Sequence, residues 1–188
     1  ERFIDKTLEF VRLQCNELVT CTAINKVVTL CTLLESLVFN SKTLDVTGKG
    51  EDFEKMLGRW FLFCLIWSVG GTVDEAGRRK MDNFIREMEG QFPPKDTVYE
   101  YFVEAKSNSW AHWESKLSSA WTFPATMPFY KILVPTVDTL RYEFVLGTLL
   151  RMKHPALIVG PVGTGKTQLT QSVLDKLDKE EWSLLNIN

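Results

Sequence analysis

The sequence lacks an excess of charge of either sign, and it lacks a long apolar run. Its 188 residues carry 22 Lys and Arg against 24 Asp and Glu, which gives a formal net charge of −2. This balance excludes the basic footprint typical of nucleic-acid-binding domains, and no block of like charges suggests a polybasic membrane patch. The longest apolar run, 60–69, is far shorter than the roughly 20 residues of a membrane-spanning helix. We therefore expect no nucleic-acid partner and no membrane partner.

Paired cysteines and secretion signals are also lacking. The four cysteines lie apart among apolar residues without a CxxC pair, and the chain contains no Asn-x-Ser/Thr sequon. This favours a cytoplasmic protein whose reduced thiols pack in a core. A zinc site built from these cysteines together with His112 or His154 is disfavoured, because no zinc-ligand spacing is present. The chain opens without a signal-peptide pattern and closes within a predicted strand, so we expect a section of a longer polypeptide.

The spacing of apolar residues predicts four helices in the first 90 residues. The four stretches are 4–18, 24–38, 53–69 and 81–88. The stripe predicted to be buried in the second helix is Ile24, Val27, Cys31, Leu34 and Val38. The third helix is apolar on nearly all sides, which indicates cover from several neighbours. Thr72 and Glu75 have the spacing of a capping box for the fourth helix, and 41–52 is predicted as a loop. Residues 1–92 are therefore predicted to form a small helical subdomain.

The segment 93–130 is predicted to be a connector rich in tryptophan. It begins at Pro93-Pro94, and the β-forming run 98–103 predicts a strand of a hairpin. Three tryptophans, Trp110, Trp113 and Trp121, follow within twelve residues. They fit packing across a domain junction better than the alternative, a platform for a ligand, because Trp is chiefly a large packing residue.

From residue 131 onward the pattern becomes α/β. An extended stretch precedes a helix that Thr136 or Asp138 could cap, and a buried strand is predicted at Ala156–Val159. A helix over 166–177 and a strand near Leu184 follow. We therefore predict an α/β fold in which a helical subdomain precedes the first part of a P-loop large subdomain, 131–188.

A phosphate-binding loop joins the predicted strand to the predicted helix. Residues 160–167, GPVGTGKT, match GxxxxGK[ST] without a mismatch. A chance match in a chain of this length has odds on the order of 1%. Glycines permit the backbone to turn its N–H groups toward a β-phosphate, and the helix N-terminus favours an anion. Lys166 would then contact the β- and γ-phosphates, and the Thr167 hydroxyl would bind Mg²⁺. The alternative is a glycine-rich turn that binds nothing.

Several strings in the chain resemble dynein heavy chains. KILVPTVDTLRY at 131–142, followed by HPALIVGPVGTGKT at 154–167, is similar to the start of the third AAA+ module of that family. FLFCLIWSVGG at 61–71, the Arg78-Arg79 helix and the tryptophan segment resemble the small subdomain of the second module and its connection to the third. The sequence of residues 63–79 is more similar to axonemal than to cytoplasmic heavy chains.

This resemblance implies an ATP- or ADP-binding site in a ring of AAA+ modules. It implies that Val134, Pro135 and Thr136 lie near the adenine and that nucleotide at the third site regulates the ring. The nucleotide-binding residues that we predict are Val134, Pro135, Thr136, Pro161, Val162, Gly163, Thr164, Gly165, Lys166, Thr167 and Gln168, with Mg²⁺ at Thr167 and no catalytic residue. The implied partners are the other AAA+ modules, microtubules reached through other parts of the chain, and dynein intermediate and light chains. The implied location is the cytoskeleton of a cilium or flagellum, and the implied movement is toward microtubule minus ends.

The sequence leaves two alternative functions to consider, and also the role of one basic helix. Walker B, the sensors and the arginine finger have no counterpart in the 188 residues, so a regulatory module that binds nucleotide without hydrolysis is the alternative to a working ATPase. An unrelated P-loop kinase is disfavoured, because it would not need a helical bundle before its first strand. Arg78 or Arg79 could reach a nucleotide, but a solvated basic face is the favoured interpretation.

Overall fold

The computed structural model describes residues 2–39, 51–90, 92–117, 121–129, 132–185 and 187. These residues form six α-helices: α1 Arg2–Gln14, α2 Ala23–Phe39, α3 Glu51–Ser68, α4 Glu75–Met88, α5 Val137–Arg151 and α6 Lys166–Asp175. Two strands, β1 Tyr101–Glu104 and β2 Ser109–His112, pair as an antiparallel hairpin. Short 3-10 turns lie at Gly70–Thr72, Val98–Glu100 and Trp113–Lys116. The four helices predicted in the first 90 residues are all present, and most of the predicted loop 41–52 lies outside the described residues.

Helix α3 lies at the centre of the hydrophobic core. Its second half is buried on every side, as its sequence predicts, from Trp60 to Trp67 with the exception of the half-buried Phe61. Helix α2 and the β1–β2 hairpin both pack against it. Burial of this many large apolar side chains, each contributing about 1.5–3 kcal/mol, makes α3 the main source of stability in the helical part.

The buried stripe of α2 matches the predicted one only in part. Val38 is buried as predicted, whereas Ile24 is 75% exposed and Cys31 is also exposed. The buried leucines that the prediction did not include are Leu30, Leu33 and Leu37. The prediction was wrong for Ile24 and Cys31 because α2 is apolar around most of its circumference. A helix of that kind offers two stripes of nearly equal hydrophobicity, and its spacing does not determine which one faces α3.

A short backbone clasp joins the α1–α2 connection to the segment before α4. Leu18 N–H donates to Thr72 O and Asp74 N–H donates to Asn16 O, both at 3.0 Å, and Glu17 forms an antiparallel bridge with Val73. Side chains reinforce this clasp. The Glu17 carboxylate accepts from the Thr72 hydroxyl at 2.7 Å and pairs with the ammonium of Lys26, which is only 6% exposed.

The cap of α4 differs from the predicted capping box of Thr72 and Glu75. Asp74 is the N-cap residue, and its carboxylate accepts from Gly77 N–H at 2.7 Å. The Thr72 hydroxyl instead donates to the Glu17 carboxylate at 2.7 Å, and its oxygen lies 2.9 Å from Val69 O. The backbone clasp accounts for this, because it holds residues 72–74 in a bridge and α4 can begin only after Asp74.

The hairpin and the tryptophans lie against the helical core. Residues 98–100 of the predicted strand form a 3-10 turn, and the strand itself begins at Tyr101. Trp113 is buried beside Phe102, and Trp110 stacks on Phe92 at 4.3 Å between ring centroids. Both therefore serve packing, whereas Trp121 is 40% exposed.

Helix α5 packs on the helical core rather than standing apart from it. Its Phe144 ring contacts the rings of Phe63 and Trp113, with centroids 5.8 Å and 5.5 Å away. Tyr142 contacts Trp67 at 5.8 Å. None of the helices in the described ranges is both long and apolar enough to cross a bilayer.

The strand predicted at Ala156–Val159 is not paired in the described part of the chain. The sheet found there has only β1 and β2, and Leu157 is 77% exposed. Residues 182–185, where a second strand was predicted, are likewise irregular. A parallel strand becomes buried only when neighbouring strands and helices cover both of its faces, and the described residues supply no such neighbours.

The cysteines differ in their surroundings. All four are free, with Cys64 buried, Cys31 exposed and the other two half-buried, so only Cys64 fully matches the predicted core thiols. Burial raises the pKa of the Cys64 thiol far above its ordinary value, which keeps it protonated and unreactive.

Candidate nucleotide-binding site

The predicted phosphate loop runs into the N-terminus of α6. Gly163 and Gly165 adopt φ of +83° and +77°, the left-handed region that only glycine enters without strain. Gly165 is the N-cap residue, and the first intrahelical bond runs from Leu169 N–H to Gly165 O. The N–H groups of residues 166–168 therefore come before the first intrahelical bond, where a helix N-terminus can bind an anion.

Lys166 extends its ammonium into the curve of this loop. Its Nζ donates to Gly160 O at 2.9 Å, to Pro161 O at 2.5 Å and to Thr164 Oγ1 at 3.3 Å. The Thr164 hydroxyl in turn donates to Pro161 O at 3.0 Å. Lys166 and the loop residues are thus brought together as the motif predicts, with one positive charge beside the helix N-terminus.

The remaining predicted residues of the loop face solvent. Pro161, Val162, Thr167 and Gln168 are exposed, while Leu169 behind them is buried. A polyphosphate and a hydrated cation could therefore reach the loop from outside. Backbone donors, an ammonium group and an accessible threonine hydroxyl fit a nucleotide phosphate with Mg²⁺.

The segment predicted to lie near the adenine precedes α5. The Thr136 hydroxyl accepts from Thr139 N–H at 3.1 Å, and the Thr139 hydroxyl accepts from Thr136 N–H at 2.7 Å. This reciprocal cap fixes where α5 begins, and Val134 just before it is 53% exposed. The hydrogen bonds described for this segment are local to the start of α5.

Helices α5 and α6 are held together by one carboxylate. Glu143 of α5 accepts from the Ser172 hydroxyl and from the Lys176 ammonium at 2.8 Å. Val173 of α6 is buried beside Gly147 of α5. The loop at the start of α6 is therefore attached to α5 through the body of the helix.

A buried charge network at the start of α5 was not identified from the sequence. The Arg141 guanidinium contacts Glu100 at 2.6 Å and also pairs with Asp138, and the residue is 9% exposed. Burial alone lowers the pKa of Arg141, but Glu100, Asp138 and Tyr142 outweigh it, so the pKa lies above its ordinary value. Asp138 and Arg141 have visible i,i+3 spacing, but Glu100 lies 41 residues away from Arg141, and no local pattern connects them.

Arg78 does not lie on the solvated face that the sequence predicts for it. Its guanidinium lies over the Tyr99 and Tyr142 rings, 5.2 Å and 5.8 Å from their centroids. Arg79 does face solvent, where it makes a loose pair with Glu75. The basic helix therefore has one arginine in the junction with α5 and one outside it.

Comparison with known proteins places both parts of the chain in one family. Residues 1–115 match the dynein heavy chain AAA lid domain, and residues 121–188 match the P-loop containing dynein motor region. The chain is 46% identical over its full length to dynein axonemal heavy chain 2 of Mus musculus. It is 53% identical, over 69% of its length, to the dynein-1-beta heavy chain of the flagellar inner arm I1 complex of Chlamydomonas reinhardtii.

The chain spans about 4% and 3% of the lengths of these two relatives, respectively. We refer below to residues 1–115 as the lid region and to residues 121–188 as the P-loop region. The helical core and hairpin lie in the lid region, and α5, α6 and the glycine loop lie in the P-loop region. Because the matched lid domain alone covers more than half of the residues, the chain belongs to the dynein heavy chain family, whose motors are P-loop AAA+ ATPases.

Proposed function

We propose that the loop 160–168 binds ATP or ADP together with Mg²⁺. The observation that carries this proposal is the Lys166 ammonium held within a glycine loop that opens the N-terminus of α6. Pro161, Val162, Thr164 and Gln168 complete the loop around the phosphates. Bound Mg²⁺ would offset phosphate charge, and Thr167 is proposed as its protein ligand.

The segment Val134, Pro135 and Thr136 is proposed to contact the adenine. Its support is the position of the exposed Val134 directly before a capped helix, together with the family resemblance. An apolar side chain on a fixed backbone suits the face of a purine, because flat aromatic ligands bind chiefly through apolar contact. The cap would keep that contact in one place.

We propose a regulatory role for this site within the ring of the parent motor. No residue of the 188 is proposed as catalytic, and hydrolysis would depend on groups supplied elsewhere in the motor. The alternative is a site that binds nucleotide permanently as a structural element. Exchange of bound nucleotide during the motor cycle would favour regulation, whereas permanent retention would favour the structural role.

For the whole protein we propose an axonemal dynein motor that moves toward microtubule minus ends. Similarity over all 188 residues to a relative named as an axonemal heavy chain supports this, and so does similarity to a flagellar inner-arm chain. Its proposed partners are its own AAA+ modules, microtubules, and intermediate and light chains. Its proposed location is the ciliary or flagellar cytoskeleton. The division into 1–92, 93–130 and 131–188, as the end of the second module, a connector and the start of the third, stays a prediction.

Replacement of one lysine tests the site. In the full heavy chain, Lys166→Ala should abolish labelling of the P-loop region by the adenine photoprobe 2-azido-ADP with Mg²⁺, because the phosphates lose their cationic contact. The measurement is the label recovered in peptides from 121–188. The other nucleotide sites of the same chain serve as internal standards.

Lys179→Ala is the matched control for this test. Lys179 is exposed in the turn that follows α6, so its loss removes an equal charge away from the loop and from the contact between α5 and α6. Labelling should stay at the wild-type level. Equal labelling of wild type and Lys166→Ala would refute the nucleotide site.

A further inference from the structure

Among the described residues, an ion pair between Glu100 and Arg141 connects the lid region to the P-loop region. Glu100 closes the 3-10 turn just before β1, and Arg141 lies in the second turn of α5. Their side chains meet at 2.6 Å, with 25% of Glu100 and 11% of Arg141 exposed. The bridge therefore crosses from one matched family region to the other.

The surroundings of Arg141 indicate that its position is specified closely. Its guanidinium reaches Asp138 on its own helix as well as Glu100, and it lies 5.5 Å from the Tyr142 ring centroid. Its Nε is buried without a hydrogen-bond partner among the described residues. A charged group that leaves one polar atom without a hydrogen bond stays buried only where its other ion pairs and contacts hold it in one geometry.

The bridge acts on the part of α5 that adjoins the proposed adenine segment. Thr136, the cap residue, lies five residues before Arg141, and α5 runs without a break between them. A helix transmits a displacement along its axis because its backbone bonds are continuous. A shift of Arg141 relative to Glu100 would therefore displace Thr136 and, with it, Val134 and Pro135.

We propose that Arg141 is a positioning residue for the nucleotide site, which it controls through Glu100 without touching the nucleotide. This rests on the proposed function, because it presumes adenine nucleotide at 160–168. The bridge holds the Val134–Thr136 segment at the distance that the bound base requires. It also makes the lid region a determinant of the affinity of the next site in the chain.

The test compares three variants in the full heavy chain: Glu100→Gln, Arg141→Gln and the double variant. The half-saturating concentration of 2-azido-ADP with Mg²⁺ is measured from label in peptides of the P-loop region. Each single change should raise it by about 5–20-fold, a common range for coupling between sites. The double variant should resemble Arg141→Gln, because both changes break the same bridge and only the loss of Arg141 also removes its pair with Asp138.

Arg59→Gln is the matched control. Arg59 donates to Asn108 O at 2.7 Å and so anchors the hairpin within the lid region without reaching α5. It should leave the half-saturating concentration unchanged. An equal loss in this control would show general loosening and would overturn the proposal.

The other possible results distinguish failure of the positioning role from failure of the proposed function. Wild-type affinity in Arg141→Gln, or effects that simply add in the double variant, would overturn the positioning role while Lys166→Ala still abolishes labelling. If Lys166→Ala labels normally, the proposed function itself fails. Should Arg141→Gln not fold, Glu100→Gln alone decides, because it keeps the size of the side chain and leaves the pair of Arg141 with Asp138 intact.

Discussion

Gly70 and Tyr99 form a contact that leaves no room for a side chain. The Tyr99 hydroxyl donates to Gly70 O at 2.9 Å, and a Cβ on Gly70 would lie 2.6 Å from that hydroxyl oxygen. Tyr99 is buried, with Trp67 against its ring, and burial raises the pKa of its phenol well above the ordinary value. The ring therefore cannot retreat toward solvent.

Gly70→Ala should destabilise the lid region by about 1–3 kcal/mol, the usual cost of overpacking. The measurement is amide hydrogen exchange of peptides from 51–100 in the full heavy chain. Gly71→Ala is the control, since a Cβ there meets nothing within 4 Å. Similar exchange in the two variants would contradict the steric argument.

The role of a residue could be predicted from the sequence when its partners are close to it along the chain, and not when they are distant. Lys166 and Gly165 were predicted from the sequence, because the loop that uses them is continuous. Glu100 and Arg141 were not paired, because their contact depends on how α5 lies against the hairpin. Ile24 was placed in the core wrongly, because α2 is apolar on more than one side.

Asp74 determines where α4 begins. Its carboxylate satisfies the Gly77 N–H, and Gly77 itself packs closely against Val73. The residues of α4 that follow place Met81 and Ile85 in the core. The start of this helix and its buried face are thus set together.

Asp74→Ala should cost about 1 kcal/mol, as removal of an N-cap side chain usually does. Faster hydrogen exchange at the first turn of α4 in the full chain would be its signature. Glu75→Ala is the control, because the Glu75 side chain is 79% exposed and its pair with Arg79 contributes little. If both variants exchange alike, Asp74 is not the effective cap.

The helices could be predicted from the sequence better than the strands. Helices α3 and α4 have apolar faces that determine their burial locally. The strand expected at Ala156–Val159 depends on partners outside its own segment, and the described residues provide none. The hairpin was expected, but its strand starts three residues later than predicted, because Val98–Glu100 turns tightly before β1.

Helix α5 makes the lid region and the P-loop region one packed body in the described structure. Phe144 is central to this contact, since it meets the rings of Phe63 and Trp113, and the Lys116 ammonium lies 5.9 Å from its centroid. The resemblance to dynein predicted that the two parts are neighbours. It did not predict which rings join them, because Phe63 and Phe144 are 81 positions apart.

Phe144→Ala should weaken the junction by about 3 kcal/mol, within the range for loss of a packed Phe. Hydrogen exchange of α5 should accelerate in the full chain, while exchange of α4 should change little. Phe123→Ala is the control, because Phe123 is 60% exposed. Equal acceleration of α4 and α5 would mean that the two regions unfold as one unit.

The backbone clasp between residues 16–18 and 72–74 also has a mechanical consequence. Its two main-chain bonds lie across two antiparallel segments, and α1 and α4 both attach at the end of this pair where Asn16 and Asp74 meet. A pull between α1 and α4 therefore loads the bond between Asn16 and Asp74 first, and the bond between Leu18 and Thr72 carries that load only after the first has broken. Tension between these two helices should thus open the clasp one bond at a time, starting beside α1 and α4, while the helices keep their shape.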